Sequence, residues 1–291
     1  MAIGDGPEVV IGPGARLGEG PVWDARSGRL AWIDVLSSQI LLTDVATPQT
    51  EVIEVPSHVG AVAPRAAGGF VAALQDGFWV VGDGPTRRIT SVAEAGPSLR
   101  FNDGKCDPAG RFWAGTMAYD EKPGAGALYR LDPDGRASLV LDGVTISNGL
   151  AWSLDGLTMY YIDTPTRRID AFSFSPGTGE ISDRRPVISI PAELGLPDGL
   201  TIDAEGGLWV ALWGGAAVHR YVDGRLDAVV TLPISQPTSC AFGGENLDEL
   251  YVTSAREGLS LEQREAQPLA GAVFRVRPGV RGLPAAVFAG A

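Results

Sequence analysis

Glu19, Asn102, Asn148 and Asp198 are two carboxylates and two carboxamides whose spacing repeats. Asn102, Asn148 and Asp198 each lie eight residues before a turn glycine (Gly110, Gly156 and Gly206), and Glu19 lies nine before Gly28, which reads as one extra residue in its turn. A lone Asn-Gly or Asp-Gly pair signals only a tight turn. Matched positions in repeated strands predict more, because residues in one register share one level of a fold. Gathered on one level, these acids and amides would repel each other unless a cation lay among them. Hard oxygen donors of this kind suit Ca2+, Mg2+ or Mn2+, and a site that adds water to its protein ligands also admits Zn2+.

The elements that position these residues follow from an internal repeat. Its unit is a short apolar strand, a turn carrying Asp and Gly, and a second strand rich in Trp, Tyr and Val. Taking Gly20, Gly60, Gly104, Gly149, Gly199 and Ser239 as markers, the steps are 40, 44, 45, 50 and 40 residues. Each unit continues into a third apolar segment, such as AVHRYV from Ala217 or GALYRL from Gly126, and then a fourth, such as ASLVL from Ala137. Repeats of this length with four short strands predict an all-β, six-bladed β-propeller, with four antiparallel strands per blade. An open β-solenoid is the alternative, but it requires polar capping repeats. No segment carries a convincing period of 3.6, so helix is expected to be minor. The chain is expected to form one domain over residues 1–291, closed by an N-terminal strand from Glu8 to Ile11. The segment Ala285 to Gly290 is expected on that same blade. Val59 and Thr238 are expected to complete the ring begun by the four polar residues.

Composition narrows the partners. Lys and Arg number 23 against 35 Asp and Glu, a net charge of -12, so no basic field exists to hold a nucleic acid. No apolar run is long enough to span a membrane. The two cysteines, Cys106 and Cys240, lack CxxC spacing, which excludes a disulfide scaffold and a thiolate zinc site. Reduced thiols and an N-terminus without a secretory pattern predict a cytoplasmic protein. With only His58 and His219 available, a histidine-rich metal site is excluded.

The strings LGEGPVWD from Leu17, RFNDGKCDPAGRFWAGTM from Arg100, ISNGLAWSLDG from Ile146, PDGLTIDAEGGLWVALW from Pro197 and SCAFGGENLDELYVTSAR from Ser239 closely resemble the regucalcin/gluconolactonase family of sugar lactonases. The resemblance covers the chain from about Leu17 onward. It implies a six-bladed propeller that holds one divalent cation (Ca2+, Zn2+, Mn2+, Mg2+ or Fe2+) in its channel and opens aldonolactones such as glucono- or xylono-lactone. Carried over residue by residue, it implies Glu19, Asn148 and Asp198 as cation ligands, and Arg100 and Asn102 as contacts to substrate oxygens. Asp120, beside Glu121, falls where some members place a further acidic substrate contact.

On that footing Asp198 is both ligand and general base, and no catalytic Ser or His is needed. Two other readings use the same channel: a cation-dependent hydrolase of organophosphates or other esters, and a Ca2+-binding protein without turnover. A monomer is expected, with a small sugar lactone as partner. His58 is expected to be a hydrogen-bonded rim residue and His219 a structural one. Ser239 and Cys240, with no neighbouring base, are expected to be strand residues.

Overall fold

The computed structural model describes residues 6–92 and 98–290. It contains six four-stranded antiparallel sheets arranged as the blades of a propeller. Blade 1 runs through Gly18–Asp24, Arg29–Asp34, Gln39–Asp44 and Gln49–Glu54. The first, innermost strands of blades 2 to 6 are Val59–Pro64, Leu99–Cys106, Ser147–Trp152, Leu196–Ile202 and Pro237–Gly243. In blade 6 the outermost strand is Glu8–Ile11, paired with Val273–Val276, so the N-terminal strand closes the ring.

The strands form where β-branched and aromatic residues lie between Asp- and Gly-bearing turns. Two of those turns show how the sequence fixes them. Buried Asp107 accepts from the amides of Ala109 and Arg111, from Arg111 Nε at 2.6 Å and from Trp113 Nε1 at 2.9 Å. Buried Asp203 does the same in blade 5, accepting from Glu205 and Gly207 amides, Trp209 Nε1 and Arg220 Nε. Four donors offset the cost of taking each carboxylate out of water. The turn is thereby tied to the tryptophan of the next strand.

Six apolar clusters hold the blades together, and each lies between two neighbouring blades. Trp113 and Trp209, fully buried, each pack against an adjacent blade, the role expected of the strand tryptophans. Helix is confined, among the described residues, to three 3-10 turns and to Leu261–Ala266, which Ser260 and Gln263 start with a capping box.

The C-terminal segment departs from expectation. Residues 285–290 do not join the N-terminal strand in blade 6. Instead the tail crosses the end of the propeller that carries the Asp turns. Ala204 N donates to Arg281 O, Gly282 N to Leu247 O, Phe288 N to Pro64 O and Ala289 N to Gly110 O. The physical reason is that Val273–Val276 already pairs with Glu8–Ile11 on its outer side. The remaining apolar residues, Phe288 above all, are buried against blades 2 and 3 instead.

Candidate active site

Every innermost strand breaks register with its neighbour at the same level: between Glu19 and Val22, Val59 and Ala61, Phe101 and Gly104, Asn148 and Leu150, Pro197 and Leu200, and Pro237 and Cys240. A bulge re-aims side chains at a strand end, and six of them ring the axis. Strand pairing places Asn102, Asn148, Asp198 and Thr238 in equivalent positions, as counted from the turns. In blade 2 that position belongs to Gly60 rather than Val59. Blade 1 joins them: Gly18 pairs with Asp34 and Glu19 with Ile33 as Ser147 pairs with Asp163 and Asn148 with Ile162, so Glu19 occupies the same position along its strand as Asn148. The extra residue lies in the turn, as expected: Gly28 N donates to Asp24 O four residues back, whereas Gly110 N donates to Asp107 O and Gly206 N to Asp203 O three residues back.

A chain of hydrogen bonds fixes the amides. Arg100 Nη1 donates to Asn102 Oδ1 at 2.6 Å and to Phe101 O at 3.1 Å. Asn102 Nδ2 donates to Ser147 O and to Asn148 Oδ1, both at 2.9 Å. Asn148 Nδ2 donates to Thr164 Oγ1 at 2.8 Å, and that hydroxyl donates to Pro197 O at 2.8 Å. Because the Thr164 proton is committed to a carbonyl, its oxygen must accept, which sets the Asn148 amide one way round and leaves Oδ1 a free lone pair. The relay starts on blade 3, passes through blade 4 and ends on the carbonyl next to Asp198.

The acids at this level are buried and short of partners. Glu19 Oε2 accepts from Gly20 N at 2.9 Å. Burial, with Asp103 adding like charge, pushes the Glu19 carboxyl up to about 8. Burial, then the charges of Glu19 and Asp103, raises Asp198 well above the usual carboxylate range. Arg100 opposes both shifts, and its own burial lowers it. Burial and neighbouring like charge disfavour the ionised form of both carboxyls, a demand for positive charge that a divalent ion would meet. The donor set therefore fits a hard cation. Among the described residues no three His, Cys, Asp or Glu side chains are grouped to hold a metal.

Around this centre the other residues take definite places. His58 shares a hydrogen bond with Tyr119, Nδ1 to hydroxyl oxygen at 2.7 Å, making it the bonded rim residue expected. Tyr119 and Glu121 both act on the Arg100 charge. Asp120 lies exposed on the loop, and its Oδ1 accepts from Lys122 N at 3.2 Å. His219 is buried beside Tyr221. Cys240 donates to Trp209 O, and burial pushes its thiol up to about 12, so it is an inert strand residue. Sequence reasoning missed Thr164, Tyr119, Asp103 and Lys105. The last two were within reach, since NDGK carries an acid where NGL and DGL carry glycine.

A six-bladed propeller whose channel mouth gathers buried carboxylates, carboxamides and an arginine defines the class. Residues 17–256 match the SMP-30/Gluconolactonase/LRE-like region. The chain is 41% identical to human regucalcin over 293 residues, covering 97% of this chain and 98% of that protein. It is 39% identical over 280 residues to a putative sugar lactone lactonase of Bacillus subtilis (strain 168), covering 95% and 96%. A calcium-binding protein, regucalcin from Agrobacterium tumefaciens, superposes with a TM-score of 0.93 at 30% identity, over 99% of this chain and 98% of that one. The chain belongs to the SMP-30/gluconolactonase/LRE-like family.

Proposed function

We propose that this protein is a divalent-cation-dependent hydrolase that opens sugar lactones, with aldonolactones such as glucono- and xylono-lactone as substrates. The observation that carries the reading is the relay from Arg100 to Asn148, which holds the Arg100 guanidinium and the Asn102 oxygen at the level of the buried Glu19 and Asp198. The sugar-lactonase relative supports the substrate class. Glu19, Asn148 and Asp198 would hold the cation. When bound, it supplies counter-charge to the two carboxylates and Lewis acidity towards the lactone carbonyl.

The chain's own groups do the rest. Asp198, ionised, takes the proton from the water that attacks the carbonyl carbon. Asn102 serves the substrate only as an acceptor, because both of its amide protons are spent on Ser147 O and Asn148 Oδ1. It can therefore take a sugar hydroxyl proton on the remaining lone pair of Oδ1. Arg100 spends Nη1 on the protein and keeps Nε and Nη2, which have no acceptor among the described residues, for the lactone oxygens. A protein that merely stored calcium would have no use for these donors.

Hydrolysis of glucono- and xylono-lactone should disappear when the protein is stripped with chelator and return with Ca2+, Zn2+ or Mn2+. In the Asp198→Asn variant kcat should fall on the order of 10²–10⁴-fold. Full activity after stripping, or in that variant, overturns the mechanism.

A further inference from the structure

Strand pairing divides the channel below the ligand level into rows. One step along from Asn148 and Asp198 the row holds Gly149, Gly199 and Ser239, and blade 3 places Asp103 there. Two further on, the row holds Ala151, Thr201 and Ala241, and blade 3 places Lys105 there. At the first row glycine is enforced in blade 5, because a Cβ on Gly199 would lie 2.0 Å from Ser239 Oγ. Blade 3 alone thus carries opposite charges down the axis where its neighbours carry small or uncharged residues.

Neither charge is neutralised by contact. Asp103 is 6% exposed, and its Oδ1 accepts from Gly104 N at 2.6 Å. Its other oxygen has no hydrogen-bond donor among the described residues. Lys105 Nζ donates to Leu200 O at 2.6 Å and forms no ion pair with Asp103. Both residues line a cavity of about 150 Å³, which the tail residues Leu283 to Ala286 border. Charges sheltered from bulk water act on each other with less screening than surface charges.

The balance of charge decides what Asp103 does. Without it, the acids Glu19 and Asp198 would be matched by Arg100 and Lys105, and the channel would exert no net pull on a cation. With it, the set is net negative once a bound cation keeps the three carboxylates ionised against the burial that otherwise raises them. We propose that Asp103, though not a ligand, supplies the excess negative charge that gives the channel its divalent-cation affinity, and that Lys105 restrains that affinity from the row below. This rests on the cation-binding reading above and extends it to two residues outside the ligand set.

The experiment is calorimetric titration of Ca2+, and separately Mn2+, into chelator-stripped wild-type protein, Asp103→Asn and Lys105→Met. Outer partners of metal sites typically change affinity 10–100-fold, so Asp103→Asn should raise Kd by about that factor. Lys105→Met should lower Kd severalfold, a sign that general loosening of the fold would not produce. Melting in excess chelator shows that each variant is folded, and the lysine variant tests the same field independently if the aspartate variant is not. A folded Asp103→Asn with wild-type Kd, or a Lys105→Met whose Kd is unchanged or raised, overturns the proposal. Failure of the wild type itself to take up either ion would instead overturn the cation-dependent reading.

Discussion

Asn102 Nδ2 donates to Asn148 Oδ1 at 2.9 Å, joining the innermost strands of blades 3 and 4 at the level of the buried acids. The bond gives two residues of the same chemical type opposite duties. Asn102 has spent its protons on Ser147 O and Asn148 Oδ1, so only its oxygen has a lone pair left to offer. Asn148 keeps its oxygen turned towards Asn102 with one lone pair free, because its own amide group is anchored on Thr164. A buried network of this kind is stiff only when every member is satisfied.

That dependence makes Thr164→Val informative. The substitution keeps the shape but leaves Asn148 Nδ2 and Pro197 O without a partner in a buried setting. An unpaired buried group costs about 1–3 kcal/mol, which urea denaturation should register. Lactone kcat/KM should fall as well, since nothing then holds the Asn148 amide one way round. Unchanged stability would mean that the Thr164 hydroxyl does not anchor the relay.

The stripped protein should lose stability as pH rises. Glu19 titrates at about 8 when folded, against an ordinary value of 4.5, and Asp198 is raised in the same direction. Between those values the folded state holds a proton that the unfolded chain has released, so ΔG of unfolding declines as pH rises from about 4.5 to about 8, Asp198 adding to the decline in the same sense. Saturating Ca2+ should remove most of this slope by keeping both carboxylates ionised in the folded state. Melting temperatures against pH, with chelator and with calcium, check it; a rising curve in chelator would contradict the assignment.

Phe288→Ala should test the tail that crosses the lower end. Phe288 is 1% exposed, packs with the cluster between blades 2 and 3, and is bonded through its backbone to Pro64 and Ala66. Truncating a buried phenylalanine costs about 3–5 kcal/mol. Chemical denaturation should show a loss of that size. If the loss were under about 1 kcal/mol, the tail would not be part of the packed structure.

Much of the architecture was legible in the chain because it is written locally. Turn glycines at steps of 40 to 50 residues delimit the blades, and counting back from them places Asn102, Asn148 and Asp198 on one level, since a strand advances its side chains with a fixed alternation. The reduced, buried state of Cys106 and Cys240 and the bonded place of His58 followed from what their neighbours lacked.

What the sequence could not decide depends on contacts between blades. The bulges beside Glu19, Asn148 and Asp198 exist only in the pairing of two strands. The course of residues 285–290 depended on which edge of blade 6 was already occupied, and the duties of Asn102 and Asn148 on the acceptors Ser147 O and Thr164 Oγ1 in blade 4. Asp103 stands in NDGK where NGL and DGL carry glycine, a contrast that gains meaning only once those strands ring one channel. Local pattern sets which residues reach the axis; only packing around that axis decides which of their atoms remain free to bind.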